Sequence, residues 1–281
     1  MTELDNRLHA YRPDIADVRL KGQVEAGRFV EGQLKEVVQP LVSLRKAPRF
    51  DARQLTEVLL GERLRVFASE EGWAFVQLEG DGYVGYVPAD ALSEPANPPS
   101  HRVAVPSTFI YPEPNIKSQP AELVPLNATV AVVGDDGKFA RLANGRFIFS
   151  RHLSPIDACE SDFVTVAEKF RHAPYYWGGK SVRGLDCSGL VQVSLEACGM
   201  KSPRDSDMQE QSLGTDLRIN DLDSLRRGDL VFWDGHVGIM TDAAALLHAN
   251  GYHMMVEAEP LRDAIERIAQ SYGAVTSIKR L

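Results

Sequence analysis

Apolar side chains near the end of the chain recur with the period of a helix. They begin at Cys187 and return on one face, at Leu190, Val191, Leu195 and Cys198. Asp186 precedes them and is a good N-cap, and Gly199 follows where glycine commonly ends a helix. The pattern predicts a buried helix whose first turn carries Cys187.

Three short apolar runs with a strand pattern follow this helix, at 227–233, 236–240 and 244–249. Asp234-Gly235 between the first two is a tight-turn signal. If the connection 241–243 is a three-residue hairpin loop, His236 lies directly opposite His248 on the next strand. Directly opposed residues have Cβ atoms roughly 4.5 to 5.5 Å apart. The pattern therefore predicts that one imidazole orients the other.

A repeat offset by 66 residues occupies the first half of the chain. Its first unit alternates like strands at 60–66 and 73–76, and its second does so at 126–132 and 139–142. The proline-rich stretch 94–100 between them is a stiff linker. We therefore predict a lead-in segment and three domains, at residues 1–33, 34–95, 96–157 and 158–281.

Composition and charge only argue against certain partners and locations of the protein. The net charge of −8 argues against nucleic-acid partners and anionic membrane surfaces. The polar segment 1–7 lacks the apolar core of a secretory signal, and no stretch approaches the roughly 20 apolar residues of a membrane span. We therefore expect a cytoplasmic protein with no membrane partner.

The cysteine and histidine spacings predict neither a disulfide nor a metal site. Cys187 and Cys198 lie about 16 Å apart along one helix, too far to bridge. Cys159 and Cys198 are expected to be structural thiols. His248 and His253 would point to opposite faces of an extended strand, and paired-cysteine spacings are absent. We expect no metal and no cofactor.

Cys187 is the candidate nucleophile. Free amides and the positive end of the helix dipole favour an ionised sulfur at a helix N-terminus. The alternative is an inert core cysteine, which is the commoner role of a helical cysteine. With His236 as base and His248 fixing its tautomer, however, the three residues form a nucleophile, a base and an orienter.

Four ordered motifs give the chain its resemblance to a known family. They lie at 174–179, 185–190, 227–232 and 236–239, and they resemble the NlpC family of papain-like cysteine peptidases. The resemblance implies an α+β papain-like domain, with a helix on an antiparallel sheet, whose relatives cleave bacterial cell-wall peptides. The two repeat units resemble bacterial SH3-like barrels, so two small all-β domains should precede it.

This domain order resembles the peptidases of murein recycling. The resemblance implies hydrolysis of the bond between γ-D-glutamate and the diamino acid in L-Ala-γ-D-Glu-diamino acid peptides. It also implies a demand for a free N-terminal L-alanine and a first barrel that closes one end of the cleft. Peptidoglycan-derived peptides are then the expected partners.

The resemblance also implies substrate-binding residues. Asp205 is the expected counter-ion of the alanine amino group and Ser206 its hydrogen-bond partner, although a solvated loop with a helix cap at Ser206 is the alternative. Trp177 is an expected substrate contact. Tyr83 and Glu57 of the first barrel are expected in the same pocket.

Tyr175 matches the family tyrosine near the nucleophile, where its hydroxyl would donate to the thiolate or to the oxyanion. The alternative is an ordinary core aromatic residue. Gly178 and Gly179 would let the chain approach the substrate closely or would simply form a turn.

Two other functions remain open. A hydrolase of intact peptidoglycan would need export, against which the missing signal speaks. The second is a non-catalytic protein that binds cell-wall fragments. The complete set of nucleophile, base and orienter argues against it, because a binding protein would not need these residues.

Overall fold

The fold is described from a computed structural model that covers residues 4–219 and 222–281. It forms two compact units, residues 1–158 and 159–281. The finer division into 1–33, 34–95, 96–157 and 158–281 stays a prediction. Among the described residues, no helix combines the length and the apolar character needed to cross a membrane.

The first unit is built from short strands. The strands are β1 (Ala16–Asp17), β2 (Phe29–Val30), β3 (Gln33–Val37), β4 (Leu41–Arg45), β5 (Gln54–Leu59), β6 (Arg63–Glu70), β7 (Trp73–Leu78), β8 (Val84–Pro88), β9 (Leu92–Ser93), β10 (His101–Val103), β11 (Ser107–Tyr111), β12 (Glu122–Pro125), β13 (Thr129–Val130), β14 (Val132–Asp136), β15 (Phe139–Leu142), β16 (Phe147–Phe149) and β17 (Leu153–Pro155). The first barrel has the strand order β5-β4-β8-β7-β6-β3-β9, and the second combines β13-β10-β17 with β12-β11-β16-β15-β14.

The two barrels repeat the same backbone hydrogen bonds. In the first barrel, the amide of Gly61 donates to the carbonyl of Val37. In the second barrel, the amide of Asn127 donates to the carbonyl of Val103. Donor and acceptor of the second bond each lie 66 residues after their counterparts in the first. Gly61 has φ +80° and Asn127 has φ +69°, so both occupy the left-handed region that these two residue types tolerate best. The repeat seen in the sequence is therefore a repeat of turn geometry.

The segment before the first barrel packs onto it. Ala10 and Ile15 share a buried cluster with Phe67, Phe75 and Val84 of the barrel. Removal of these apolar side chains from water stabilises the segment, which has little regular structure of its own.

The second unit places helices around a six-stranded antiparallel sheet. Its helices are α1 (Phe163–Glu168), α2 (Cys187–Ala197), α3 (Ser206–Ser212) and α4 (Leu261–Tyr272). Its strands are β18 (Lys180–Ser181), β19 (Gly184–Leu185), β20 (Thr215–Asp216), β21 (Leu230–Trp233), β22 (His236–Met240), β23 (Ala245–Asn250), β24 (Met255–Pro260) and β25 (Ser277–Arg280). The main sheet has the order β20-β25-β21-β22-β23-β24, and β18 and β19 form a separate two-stranded sheet.

Helix α2 begins and ends as its sequence predicts. Asp186 is the N-cap, and its carboxylate accepts a hydrogen bond from the amide of Gly189 at 2.7 Å. Gly199, with φ +73°, follows the last turn. All but one of the eleven residues of α2 are buried, so packing holds the first turn, with Cys187, in a fixed position.

The predicted pairing of β22 with β23 is wrong by two residues. Met240 pairs with Leu246 rather than with Ala244, because the loop is longer than three residues and is closed by the Thr241 amide on the Ala245 carbonyl. A shift of two residues keeps every side chain on its original face. His248 therefore becomes a diagonal neighbour of His236 instead of its direct opposite, and the two rings still meet.

Candidate active site

The candidate nucleophile lies against the strand that carries the candidate base. Cys187 is the first residue of α2 and is 7% exposed. The backbone amides of Ser188 and Val237 hydrogen-bond its sulfur, and Val237 directly follows His236 on β22. The sulfur is therefore positioned by the helix N-terminus and the strand together.

The expectation of a resting thiolate is not met. Burial, helped by the nearby charge of Asp186, raises the pKa of the Cys187 thiol to about 12. Burial, helped by His248 and Arg267, lowers the pKa of His236 to about 3. The desolvation of both groups outweighs the helix dipole. The substrate-free site therefore holds a neutral thiol and a neutral imidazole.

The two histidines form one hydrogen-bonded pair. Nε2 of His236 lies 2.8 Å from Nδ1 of His248, and the rings are 5.0 Å apart between centroids. His248 is fully buried, and its Nε2 lies 2.7 Å from Oε1 of Glu259 on β24. The structure thus places His248 where it can orient His236.

Glu259 and Arg267 are residues of this site that the sequence interpretation missed. Oε1 of Glu259 also accepts a hydrogen bond from Nη2 of Arg267 on α4. The guanidinium of Arg267 lies 4.3 Å from the centroid of the Tyr252 ring. The only available signal was the alternation of acidic residues along 257–259, which is equally typical of a solvated strand.

Asp186 joins three segments around Cys187. Its carboxylate accepts hydrogen bonds from the amides of Gly178 at 2.8 Å and Gly189 at 2.7 Å. It also binds the guanidinium of Arg204 through two parallel hydrogen bonds, of 2.9 and 2.7 Å. Arg204 is 1% exposed, so this is a buried and fully paired charge.

The same contacts fix the segment that carries Asp205 and Ser206. Besides Asp186, Arg204 binds the hydroxyl of Ser188 at 2.9 Å. Gln209 of α3 donates to the carbonyl of Ser188, also at 2.9 Å. The cap of α3 is Asp205 rather than Ser206, and the Asp205 carboxylate makes no capping hydrogen bond. Both candidate substrate ligands are therefore tied to the first turn of α2.

The aromatic motif before α2 is held next to Cys187. The Tyr175 amide donates to the carbonyl of Met254, which fixes the loop against the start of β24. Burial and the nearby Cys187 raise the pKa of the Tyr175 hydroxyl, so it stays protonated and can donate a hydrogen bond. Trp177 is 51% exposed, and its contact with substrate stays a prediction.

Close packing explains the glycines of this loop. A Cβ on Gly179 would lie 2.2 Å from the carbonyl oxygen of Gly184, and one on Gly189 would lie 2.2 Å from that of Gly179. Both distances are far below a van der Waals contact. Glycine at 179 therefore allows the loop to approach Gly184, and glycine at 189 allows α2 to approach the loop.

The expectation that His248 and His253 point to opposite faces is wrong. The chain reverses between β23 and β24, where Met254 has φ +55°, and His253 comes back towards β23. Potential ligand atoms of His248, His253 and Glu259 all lie within 4.8 Å of one another. The ligand atoms of His248 and Glu259 are hydrogen-bonded to each other, and the ring of His253 is hydrogen-bonded to the side chain of Asn250.

Glu57 and Tyr83 belong to the first unit, where Glu57 is 4% and Tyr83 3% exposed. Their part in substrate binding stays a prediction.

Two family profiles match parts of the chain. One, described as the NlpC/P60 family, matches residues 172–271, which contain Cys187 and both histidines of the pair. The other, described as a bacterial dipeptidyl-peptidase SH3 domain, matches residues 44–92 in the first barrel.

Some known proteins resemble most of the chain, and others resemble about a third of it. A gamma-D-glutamyl-L-lysine dipeptidyl-peptidase of Bacillus cereus is 27% identical over 239 residues, covering 73% of this chain and 70% of the relative. A probable endopeptidase NlpC of Escherichia coli is 34% identical over 117 residues, covering 36% of this chain and 73% of the relative.

A solved structure resembles most of the chain in fold. The crystal structure of an NlpC/P60 family protein from Bacillus cereus has a TM-score of 0.74 and 21% identity, covering 88% of this chain and 99% of the other. The fold class predicted from the sequence, an α+β papain-like domain after SH3-like barrels, is confirmed. The chain belongs to the NlpC/P60 family and is a cysteine peptidase.

Proposed function

We propose that the chain hydrolyses the γ-D-glutamyl–diamino acid bond of peptidoglycan-derived peptides that carry a free N-terminal L-alanine, in the recycling of cell-wall peptides. The observation that carries this proposal is the attachment of Asp205 and Ser206 to the nucleophile helix through Arg204 and Gln209. The name of the Bacillus cereus relative supports the choice of bond.

The geometry fits acyl transfer. The Cys187 sulfur attacks the γ-glutamyl carbonyl carbon while His236 takes the thiol proton, and the carbonyl oxygen becomes an oxyanion. The Cys187 amide and the Tyr175 hydroxyl are the donors for that oxyanion. When the intermediate collapses, the C–N bond breaks and His236 returns the proton to the leaving amine. Water, deprotonated by His236, then hydrolyses the thioester and frees the enzyme.

Asp205 supplies specificity for the amino end of the peptide. An ammonium group that leaves water is costly unless a counter-ion and hydrogen bonds replace its hydration. Asp205 offers the charge and the Ser206 hydroxyl a hydrogen bond. Because Arg204 and Gln209 hold this segment rigidly to the nucleophile helix, the distance from the ammonium site to the sulfur is fixed. A fixed distance selects which carbonyl is cleaved.

A comparison of free and N-acetylated L-Ala-γ-D-Glu-L-lysine peptides tests this proposal. Acetylation removes the positive charge and leaves Asp205 without its partner, so we expect kcat/KM to fall at least about 100-fold, in line with the 2 to 5 kcal/mol cost of breaking a buried charge pair. Asp205→Asn should raise KM for the free peptide about tenfold or more and narrow the gap between the two substrates.

Asp207→Asn is the matched control, because Asp207 lies two residues further along α3 and has no assigned role. It should leave both rates within about twofold. Equal cleavage of free and acetylated peptides by the unaltered enzyme would refute the demand for a free amino group and favour a hydrolase of intact peptidoglycan.

A further inference from the structure

We propose that Glu259, held by Arg267, is a positioning residue that sets the tautomers of both histidines and so makes His236 a base towards Cys187. This inference rests on the proposed peptidase chemistry and extends it to residues outside the set of nucleophile, base and orienter. It starts from a chain of hydrogen bonds that runs from α4 to β22, through Arg267, Glu259, His248 and His236.

The direction of each hydrogen bond follows from its acceptor. An ionised carboxylate can only accept, so Nε2 of His248 must carry the hydrogen that meets Oε1 of Glu259. A neutral imidazole has one hydrogen, which leaves Nδ1 of His248 as an acceptor. The hydrogen of the bond to His236 must then sit on Nε2 of His236. Nδ1 of His236 is left with a free lone pair, which can take the thiol proton.

The carboxylate of Glu259 is ionised for a physical reason. Burial by itself would raise its pKa, but the hydrogen bond from His248 and the charges of Arg267 and His253 together lower the pKa. Burial also lowers the pKa of His248, against the opposing influence of Glu259, so His248 is a neutral donor. The groups that face His248 are thus His236, His253, Glu259 and Arg267.

Glu259 also acts on the charge that develops during attack. When His236 takes the thiol proton, it becomes a cation in a site whose burial disfavours charge. The negative charge of Glu259 stabilises this cation through His248, as the aspartate of a serine-protease triad does for its histidine. Arg267 holds the carboxylate in position and moderates its charge.

The neighbouring acid Glu257 offers a matched control. It lies directly opposite His248 in the strand pairing and two residues before Glu259. The Glu257 carboxylate binds Arg171 at 2.9 Å. Glu257 is not part of the hydrogen-bond chain that links Glu259 to the histidine pair. Glu257→Gln therefore removes an acidic charge from the same strand without touching the proposed chain.

Two substitutions separate orientation from charge. Glu259→Gln keeps an oxygen acceptor of the same shape but loses the charge, and we expect kcat on the free stem peptide to fall about tenfold. Glu259→Leu also removes the acceptor, so His248 can change tautomer, and kcat should fall about 100-fold or more, because a mispositioned tautomer costs about 10⁴-fold where the partner touches the base directly. KM should stay within about twofold in both variants, and Glu257→Gln should match the unaltered enzyme.

The ¹⁵N spectrum of histidine-labelled protein reads the tautomers without any substrate. We expect the unaltered and Gln variants to show His236 and His248 protonated on Nε2, and the Leu variant to show a changed tautomer of His248. Normal kcat in both variants, or unchanged tautomers in the Leu variant, would overturn the proposal. If the unaltered enzyme fails to cleave the stem peptide, the proposed function fails, while the spectrum still tests the role of Glu259.

Discussion

Replacing Cys187 by alanine is expected to lower peptide hydrolysis by about 10⁴-fold or more, because the attacking atom is removed and the residual rate comes only from binding and oxyanion donors. The thermal midpoint should change little, since alanine fills most of the space of the thiol. Turnover of L-Ala-γ-D-Glu-L-lysine, followed by release of the free diamino acid, measures the effect.

The two other cysteines are the controls for this prediction. Cys159 is exposed and Cys198 is the C-cap of α2, at the end opposite Cys187. Cys159→Ala and Cys198→Ala should keep rates within about twofold of the unaltered enzyme. Hydrolysis that survives Cys187→Ala but is lost with either of the others would assign the nucleophile elsewhere.

Replacing Asp186 by alanine is expected to lower the free energy of unfolding by about 3 to 5 kcal/mol, because it leaves the Arg204 guanidinium buried without its counter-ion. The loss of the helix cap on Gly189 adds about 1 kcal/mol. Denaturant titration with a fluorescence readout measures the change, provided that the slope with denaturant stays constant.

An exposed pair of the same chemistry provides the comparison. Asp223 binds Arg262 at 2.9 Å, but their side chains are 92% and 70% exposed. Asp223→Ala should therefore cost less than about 1 kcal/mol, as exposed ion pairs usually do. Similar losses in Asp186→Ala and Asp223→Ala would show that burial does not determine the role of Asp186.

Elements that depend on local patterns could be predicted from the sequence. The start of α2 at Cys187 follows from the cap, the apolar stripe and the terminal glycine, all within the fourteen residues 186–199. The hairpin between β21 and β22 follows from Asp234-Gly235, and Gly235 indeed has φ +71°. The barrel repeat could be predicted because equivalent turns keep equivalent backbone geometry.

Other features depend on distances that a sequence does not contain. The loop after Met240 is two residues longer than predicted. His236 and His248 still meet only because a shift of two residues leaves their side chains on the same face of the sheet. The pairs Asp186–Arg204 and Glu259–Arg267 join acids and bases that look like solvated charges until the fold buries them. The pKa of Cys187 likewise depends on burial by the whole domain, which outweighs the local helix dipole.

The central claim is that Cys187 forms a thioester with the γ-carboxyl of the glutamate, and mass spectrometry of acid-quenched enzyme during turnover tests it most directly. The account predicts that the fragment containing Cys187 gains the mass of an L-Ala-γ-D-Glu acyl group, and that this gain is absent when the enzyme is given only the free diamino acid product, which carries no acyl group. An acyl group of any other composition on Cys187, or the same acyl group on another residue, would contradict it.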